Sequence, residues 1–234
     1  RFTGAYLFTK TDTKIRSSYG TAFKAPSLLR LYSPSPYSLG NADLKPETSQ
    51  GWDIGFDQYL LSRQLVFSGT YFRNDITNLI DFKETDPINW YGTYVNRQKA
   101  KNNGIELELK ATLMEDWMTR LAYTYTESTF TTPSGTQRRG LVPRHQFGLD
   151  SNYCLFKKWT IGCGVTIVAD REDKFTSGLD LEDFFTARVY SRYEHNDHFA
   201  IFGRVENVTD THYDYSTNVP ALPIGFYGGV ELKF

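Results

Sequence analysis

The stretch Gly104–Leu113 places Ile105, Leu107, Leu109, Ala111 and Leu113 on one face of an extended strand. Glu106, Glu108, Lys110 and Thr112 fall on the other face. A side-chain period of two, greasy on one side and charged on the other, demands oil behind the strand and water in front of it. The pattern recurs at the end of the chain, where Phe226, Val230, Leu232 and Phe234 alternate with Tyr227, Glu231 and Lys233. In the stretch from Trp159 to Asp170, residues Trp159, Ile161, Cys163, Val165 and Ile167 face out, while Thr160, Gly162, Gly164, Thr166 and Asp170 face in. Two more such runs occupy 185–193 and 199–206, and no segment shows sustained helical periodicity.

Composition restricts what the oil is. The 234 residues carry a formal net charge of -1, and the mean hydropathy is -0.47. No apolar run approaches the roughly 18 residues that a membrane-spanning helix needs. A barrel escapes that test, because lumen-facing and lipid-facing residues cancel in any averaging window. Aromatic residues reach 16%, as expected where rings cover a lipid face and two interfacial girdles. Balanced charge argues against a nucleic-acid partner, which requires a basic face. Cys154 and Cys163 are placed on opposite faces of one hairpin, so two free thiols are predicted, with neither a disulfide nor a metal site.

Period-two segments predict strands at about 2–9, 13–22, 48–60, 64–77, 100–113, 117–130, 143–155, 158–170, 183–193, 197–207 and 223–234. Short turns near 11–12, 61–63, 114–116, 156–157 and 194–196 alternate with long connections at 23–47, 78–99, 131–142, 171–182 and 208–222. This alternation suits tight periplasmic turns and larger extracellular loops. It puts the C-terminus in the periplasm and Arg1 near the outer surface. An odd strand number cannot close on a second copy, because the seams would be parallel, and an open edge cannot face lipid. The expectation is half of a barrel, completed by a segment that starts in the periplasm and ends outside. The chain starts at Arg1 without an initiator Met, a charged n-region or an apolar h-region, so the segment that exports the protein is expected to lie outside this sequence.

Two motifs carry a resemblance. Tyr19-Gly-Thr-Ala-Phe-Lys-Ala-Pro-Ser-Leu-Leu-Arg-Leu-Tyr32 is followed by Gly40-Asn-Ala-Asp-Leu-Lys-Pro-Glu47. Downstream stand Tyr94-Val-Asn96, Gly104-Ile-Glu106, and Glu206-Asn-Val-Thr-Asp210 with Tyr213. In this order, and ending on an aromatic residue, the chain resembles TonB-dependent outer-membrane receptors. The motif positions are Phe23, Lys24, Ala25, Pro26, Asn41, Leu44, Pro46, Glu47, Asn96, Gly104, Glu106, Glu206, Asn207 and Phe234.

The resemblance implies an all-β fold: residues 1–234 as the C-terminal half, about 11 antiparallel strands, of a 22-stranded transmembrane barrel in the bacterial outer membrane. It further implies a plug carried by the N-terminal half and active uptake rather than bond chemistry. The implied partners are a TonB–ExbB–ExbD energising complex acting through the plug, outer-membrane lipid and lipopolysaccharide, and a surface lipoprotein in some members. Loop compactness and spacing are most similar to the cobalamin-transporting branch. Ferric siderophores are the alternative ligands, and a passive porin-type channel is the alternative function. No His lies between Phe23 and Glu47, which disfavours haem.

Candidate ligand contacts are the loop residues Tyr32, Tyr37, Asn41, Trp90, Tyr91 and Tyr94, whose rings could cover a bulky molecule while presenting polar tips. Taken singly, each reads more simply as a loop-packing or girdle aromatic. Pro26 and Pro46 should keep the segment between them out of the sheet, with Lys24, Lys45 and Glu47 solvated at the rim. Glu106 and Glu108 lie about 7 Å apart on one face. With Lys110 and Arg120 nearby, they read as lumen charges rather than an acid–base pair.

Asp170, Glu172, Asp173, Asp180, Glu182 and Asp183 crowd one loop. A solvated acidic loop is expected there, with calcium in extracellular loops as the lesser reading. His195 and His198 read as interfacial polar residues rather than zinc ligands. Inward Gly162, Gly164 and Gly229 either make room for a plug or bend the sheet.

Overall fold

The computed structural model describes residues 1–35, 38–86, 91–132, 135–173 and 179–233. Eleven long strands form one sheet in which each pairs antiparallel with the next in sequence. They are β1 (Phe2–Phe8), β2 (Thr13–Lys24), β3 (Glu47–Leu60), β4 (Leu65–Asp86), β5 (Tyr91–Met114) and β6 (Trp117–Thr132). The series continues with β7 (His145–Leu155), β8 (Trp159–Ala169), β9 (Phe184–Asn196), β10 (Phe199–Glu206) and β11 (Gly225–Leu232). All eleven predicted strands are present, in order. The sheet is open, with β1 and β11 at its ends.

The register shows what the alternation builds. Tyr6, Ile15, Phe56, Gly69, Leu107, Tyr123, Phe147, Ile167 and Phe185 lie in one line across nine strands. The row one residue along the strands holds Lys14, Asp57, Ser68, Glu108, Ala122, Gly148, Thr166 and Thr186. One face is therefore mainly apolar and the other mainly polar, although Leu7 stands opposite Lys14 on the polar side.

On the polar face the charges pair with one another. Arg16 lies 3.4 Å from Asp57, Lys110 2.7 Å from Glu108, Arg188 2.5 Å from Asp150 and Arg192 3.0 Å from Glu231, and Arg120 also bonds Glu108. Glu106 and Glu108 thus sit where lumen charges were expected. The free thiols fit as well: Cys154 stands opposite Thr160, and Cys163 opposite Ser151.

The greasy face is bounded in height. Trp117 and Tyr153 mark its lower edge, and Tyr71, Ile105 and Tyr125 its upper one. Trp117 to Tyr125 is eight residues, about 26 Å along the strand. At a tilt of about 40° that gives some 20 Å of height, comparable with the roughly 25 Å apolar band of outer-membrane barrels. Above it the same column turns polar, with Arg73, Asn103 and Glu127 side by side. Among the described residues, buried apolar side chains are few and scattered (Leu44, Ile80, Ala100, Val168 and Ala200) and form no single interior core.

Three expectations need correction. The connection at 78–99 is mostly sheet: β4 and β5 continue pairing to Asp86 and Tyr91, through irregularities at Ile76–Ile80 and a left-handed Asn78 (φ 56°). Once two strands are in register, each further backbone pair satisfies its own hydrogen bonds, so a hairpin can outgrow the membrane. The segment between Pro26 and Pro46 does leave the ladder, forming a short helix α1 (Leu28–Tyr32), but Ser38–Leu39 returns to pair in parallel with Gly92–Thr93.

The inward glycines are covered by neighbouring side chains. A Cβ on Gly162 would lie 2.3 Å from the Tyr190 ring, one on Gly164 2.7 Å from Arg188 Nε, and one on Gly229 2.7 Å from the Phe202 ring. In each case the contact is with the large residue directly opposite on the adjacent strand. This contact accounts for the glycines more directly than free lumen space or bending does.

Candidate functional site at the extracellular rim

The strand ends that rise above the apolar band carry two clusters of connections. The first is residues 25–47 laid against the β4–β5 hairpin. Ser27 caps α1, its Oγ accepting from the Arg30 N–H at 3.3 Å. The chain then doubles back so tightly that a Cβ on Gly40 would lie 2.6 Å from the Leu31 carbonyl oxygen, which explains the glycine. Asn41 Nδ2 donates to the Tyr94 carbonyl at 2.8 Å, while its Oδ1 accepts from Asp43 N–H at 3.0 Å. Asn96 Oδ1 accepts from Lys45 N–H at 2.7 Å, and its Nδ2 donates to the carbonyls of Lys45 and Asn78 at 2.9 and 2.7 Å.

Glu47 is buried at 8% exposure, accepts from Ile80 N–H at 3.0 Å and lies 3.5 Å from Lys24 Nζ. Its expected solvation is therefore wrong, because the hairpin above β3 needs that carboxylate to satisfy a buried N–H. The Arg30 guanidinium lies 5.3 Å from the Tyr94 ring, and that ring packs edge-on to Phe82.

The proposed contact residues separate accordingly. Tyr91 and Tyr94 lie in β5 rather than in a loop. Asn41 and Tyr94 hold the lip together, and Tyr32 stands open at 65% exposure beside exposed Leu28 and Leu29. Tyr37, Trp90 and Phe234 lie outside the described residues.

Leu44 is buried, while Phe23, Ala25 and Pro46 are exposed. Gly104 is required because a Cβ there would meet the Tyr125 carbonyl oxygen at 2.0 Å and the Phe72 ring at 2.8 Å. Asn207, also buried, closes the chain after β10: its Nδ2 donates to the Thr211 carbonyl and its Oδ1 accepts from Thr211 N–H, both at 3.0 Å. Glu206 lies 3.4 Å from Arg204.

The second cluster joins the β6–β7, β8–β9 and β10–β11 connections, and here the expected solvated acidic loop holds only in part: Asp180, Glu182 and Asp183 are exposed, while Asp170, Glu172 and Asp173 are engaged. Arg138, its side chain 6% exposed, lies 2.5 Å from Asp170 and 3.0 Å from Glu172, and also bonds the Asp170 backbone carbonyl. Arg144 joins Glu127 and Asp170, each at 3.0 Å. Arg171 is buried, donates to the carbonyls of Glu182, Asp214 and Tyr215, and lies 4.9 Å from the Phe184 ring. Asp173 is fully buried and accepts from Thr217 N–H at 2.8 Å. Residues 171–173 pair with 179–181 as a ribbon. Asp170 and Glu172 are taken by arginines from another loop and Asp173 by a backbone N–H, so this half of the acidic run is not free to be solvated.

Electrostatics follow this geometry. Burial alone would raise the Asp170 carboxyl, but the guanidinium groups of Arg138 and Arg144 hold it below the ordinary range. The bond from Arg144 lowers Glu127 likewise. Burial, with a bond to Tyr215, pushes the Tyr213 hydroxyl up to about 12. Burial pulls Arg171 down.

Sequence reading missed Arg138, Arg144 and Arg171 as loop ties. The one available signal was that basic residues in 138–144 could complement the acids of 170–173. Between the second and third loops lies a recess of about 520 Å³ lined by Glu182, His212, Tyr213 and Asp214 among others. Among the described residues, no group of three or more His, Cys, Asp or Glu is arranged to hold a metal ion.

The model of the TonB-dependent receptor-like β-barrel family matches residues 1–208. The chain is 42% identical over 92 residues to the vitamin B12 transporter BtuB of Vibrio vulnificus (strain YJ016), covering 39% of this chain and 14% of that protein. It is 24% identical over 224 residues to the BtuB of Vibrio cholerae serotype O1 (strain O395), covering 94% of this chain and 34% of that one. The ferric-catecholate import receptor Fiu of E. coli K12 superposes with a TM-score of 0.74 at 22% identity, covering 99% of this chain and 34% of Fiu. The chain thus spans about a third or less of the length of these relatives. An open sheet of eleven antiparallel strands, greasy outside and charged inside, whose motif residues fasten its rim, belongs to the TonB-dependent receptor-like β-barrel family of outer-membrane receptors.

Proposed function

We propose that this chain is the C-terminal part of an outer-membrane transporter that takes up a large scarce nutrient, cobalamin first, by the energised route of its family. The observation that carries the reading is a two-faced wall whose extracellular lip is fastened by family-motif residues, in a chain 24% identical over 94% of its length to a protein named as a vitamin B12 transporter. The remaining strands and a plug would come from a preceding segment, and a TonB–ExbB–ExbD complex would act on that plug. Lipopolysaccharide and a surface lipoprotein are the proposed outer partners. Catalysis has no part in the scheme, which moves the ligand without bond chemistry.

Within this scheme Tyr32, with Leu28 and Leu29 beside it, offers the ligand an apolar lip with a polar tip. Asn41 and Tyr94 position that lip, and calcium in the loops would add rigidity. A ferric siderophore is the second reading, supported by the likeness of the wall to a ferric-catecholate receptor.

The test is uptake by cells in which the complete receptor is the sole candidate route. Labelled cobalamin should accumulate only when the inner membrane is energised, and Tyr32→Ala should weaken it. Uptake of a ferric siderophore instead would move the protein to the second reading. Steady ion conductance of the purified receptor in a planar bilayer without energy input would make it a passive channel and end the proposal.

A further inference from the structure

The outward face carries a groove that the transport reading does not use. Ser191, Gly203 and Gly228 stand in one cross-strand row of β9, β10 and β11. The row below holds Trp159, Tyr193, Ile201 and Val230, and the row above Cys163, Val189, Val205 and Phe226. Small residues between two rows of large ones leave an apolar recess of about 770 Å³, continued by one of about 500 Å³ that shares Ser191 and Gly203.

The walls are fixed in advance. The indole N–H of Trp117 donates to Ser151 Oγ at 3.0 Å, and that of Trp159 to Ser191 Oγ at 2.7 Å. An interfacial indole ordinarily keeps its N–H for water and headgroups. Here both are spent on the wall, so the rings stand at set positions before anything enters.

Below the groove three periplasmic turns lie side by side with alternating charge. The middle one, Phe156-Lys157-Lys158, is basic, and all three residues are exposed, Phe156 at 88%. Neither lysine has an ion-pair partner among the described residues. Phe156 and Lys157 are both held at left-handed φ (53° and 55°), where asparagine or glycine is the ordinary choice. On one side lies Glu115–Asp116, tied in by Cys154 N–H donating to the Asp116 carbonyl at 2.8 Å. On the other lies the Glu194–Asp197 turn, tied in by Glu194 N–H donating to the Lys158 carbonyl at 2.7 Å, with Glu194 itself paired to Arg192 at 3.1 Å.

We propose that the groove and these turns form a binding site for a phospholipid bearing a primary ammonium, of the phosphatidylethanolamine type. One acyl chain lies over Ser191 and Gly203 between Trp159 and Phe226. The phosphate is held by Lys157 and Lys158, and the ammonium donates to Glu115 or Asp116. Charge complementarity selects this occupant: a phosphate alone would meet acidic turns on both sides, whereas a zwitterion uses both signs. The groove floor, level with Ile161, lies three residues above Lys158, about 10 Å along the strand, within the span from headgroup to upper acyl chain.

The complete receptor, reconstituted with equal amounts of phosphatidylethanolamine, phosphatidylglycerol and phosphatidylcholine, should be stripped gently and its retained lipid identified by native mass spectrometry. Phosphatidylethanolamine should exceed each of the others by about tenfold, the ratio one charge-assisted hydrogen bond supplies. Glu115→Gln with Asp116→Asn, at a turn outside the sheet, should abolish that preference. Gly203→Leu should reduce retention of all three lipids; a Cβ there meets nothing closer than 3.7 Å, so the sheet accepts it. Heat-modifiable migration would confirm that both variants fold.

Equal retention of the three lipids by the unaltered receptor overturns the proposal. So does a preference for phosphatidylglycerol, which would leave the carboxylates without a role. A receptor dimer dispersed by Gly203→Leu would put a second copy in the groove and overturn it as well.

Discussion

The two rim clusters do the same job by different means. Residues 25–47 lie on the β4–β5 hairpin through side-chain amides of Asn41 and Asn96 that bond backbone groups, with Glu47 satisfying one buried N–H. The connections after β6, β8 and β10 are instead clamped by Arg138, Arg144 and Arg171. Amide-to-backbone bonds need particular residues at fixed spacing, and therefore leave a motif. Ion pairs between loops need only opposite charges somewhere in each loop, and leave almost none. The first cluster should be indifferent to salt and acid where its asparagines act, and the second sensitive to both.

The largest expected effect falls on the arginine cluster. Arg138→Met leaves Asp170 and Glu172 without their shared cation, and should cost about 3 kcal/mol of local stability, the low end for a broken buried pair because Asp170 is partly open to water. Hydrogen exchange in 137–144 and 170–173 should rise while 25–47 stays protected. Loosening of both clusters together would break the comparison.

Next is a control on the wall beneath them. Leu107→Arg should destabilise the barrel by about 2–4 kcal/mol if the row containing Leu107 meets mid-bilayer, and Glu108→Arg by much less. Urea unfolding in lipid should show both clusters melting with the wall, and equal losses for the two variants would refute the facing.

Smaller still is Asn96→Ala. It strands backbone groups of Lys45 and Asn78 and should cost about 1–3 kcal/mol, read as faster proteolysis in 38–47 with the arginine cluster unchanged.

The mildest perturbation is acid. Asp170 and Glu127 are held below the ordinary carboxylate range, so their contribution is present above that range and is lost as pH falls through the depressed values. Exchange in the second cluster should therefore quicken only below about pH 4. Quickening already at pH 6 would mean that some other group governs the clasp.

The comparison also explains what could be read in advance. Gly40, Asn41, Asn96 and Asn207 stood out as a pattern because each position tolerates one side chain for a local reason, a close approach or a turn closed by an amide. What the pattern meant was less legible: Asn41 and Tyr94 looked like ligand contacts, yet they bind each other's segments. The acidic run 170–173 looked solvated because its arginine partners lie 26 to 34 residues away in sequence. The length of the β4–β5 hairpin was hidden too, since above the bilayer both faces meet water and alternation fades.

Strand number, order, polarity and facing followed from the sequence alone, because the bilayer imposes a period of two on every residue it touches and local spacing suffices to read it. Which loops lock together, which charges are buried, and why glycines sit under Tyr190, Arg188 and Phe202 were decided only by the tertiary structure. Those contacts join residues from different strands, and a register must exist before side chains that far apart in sequence can meet.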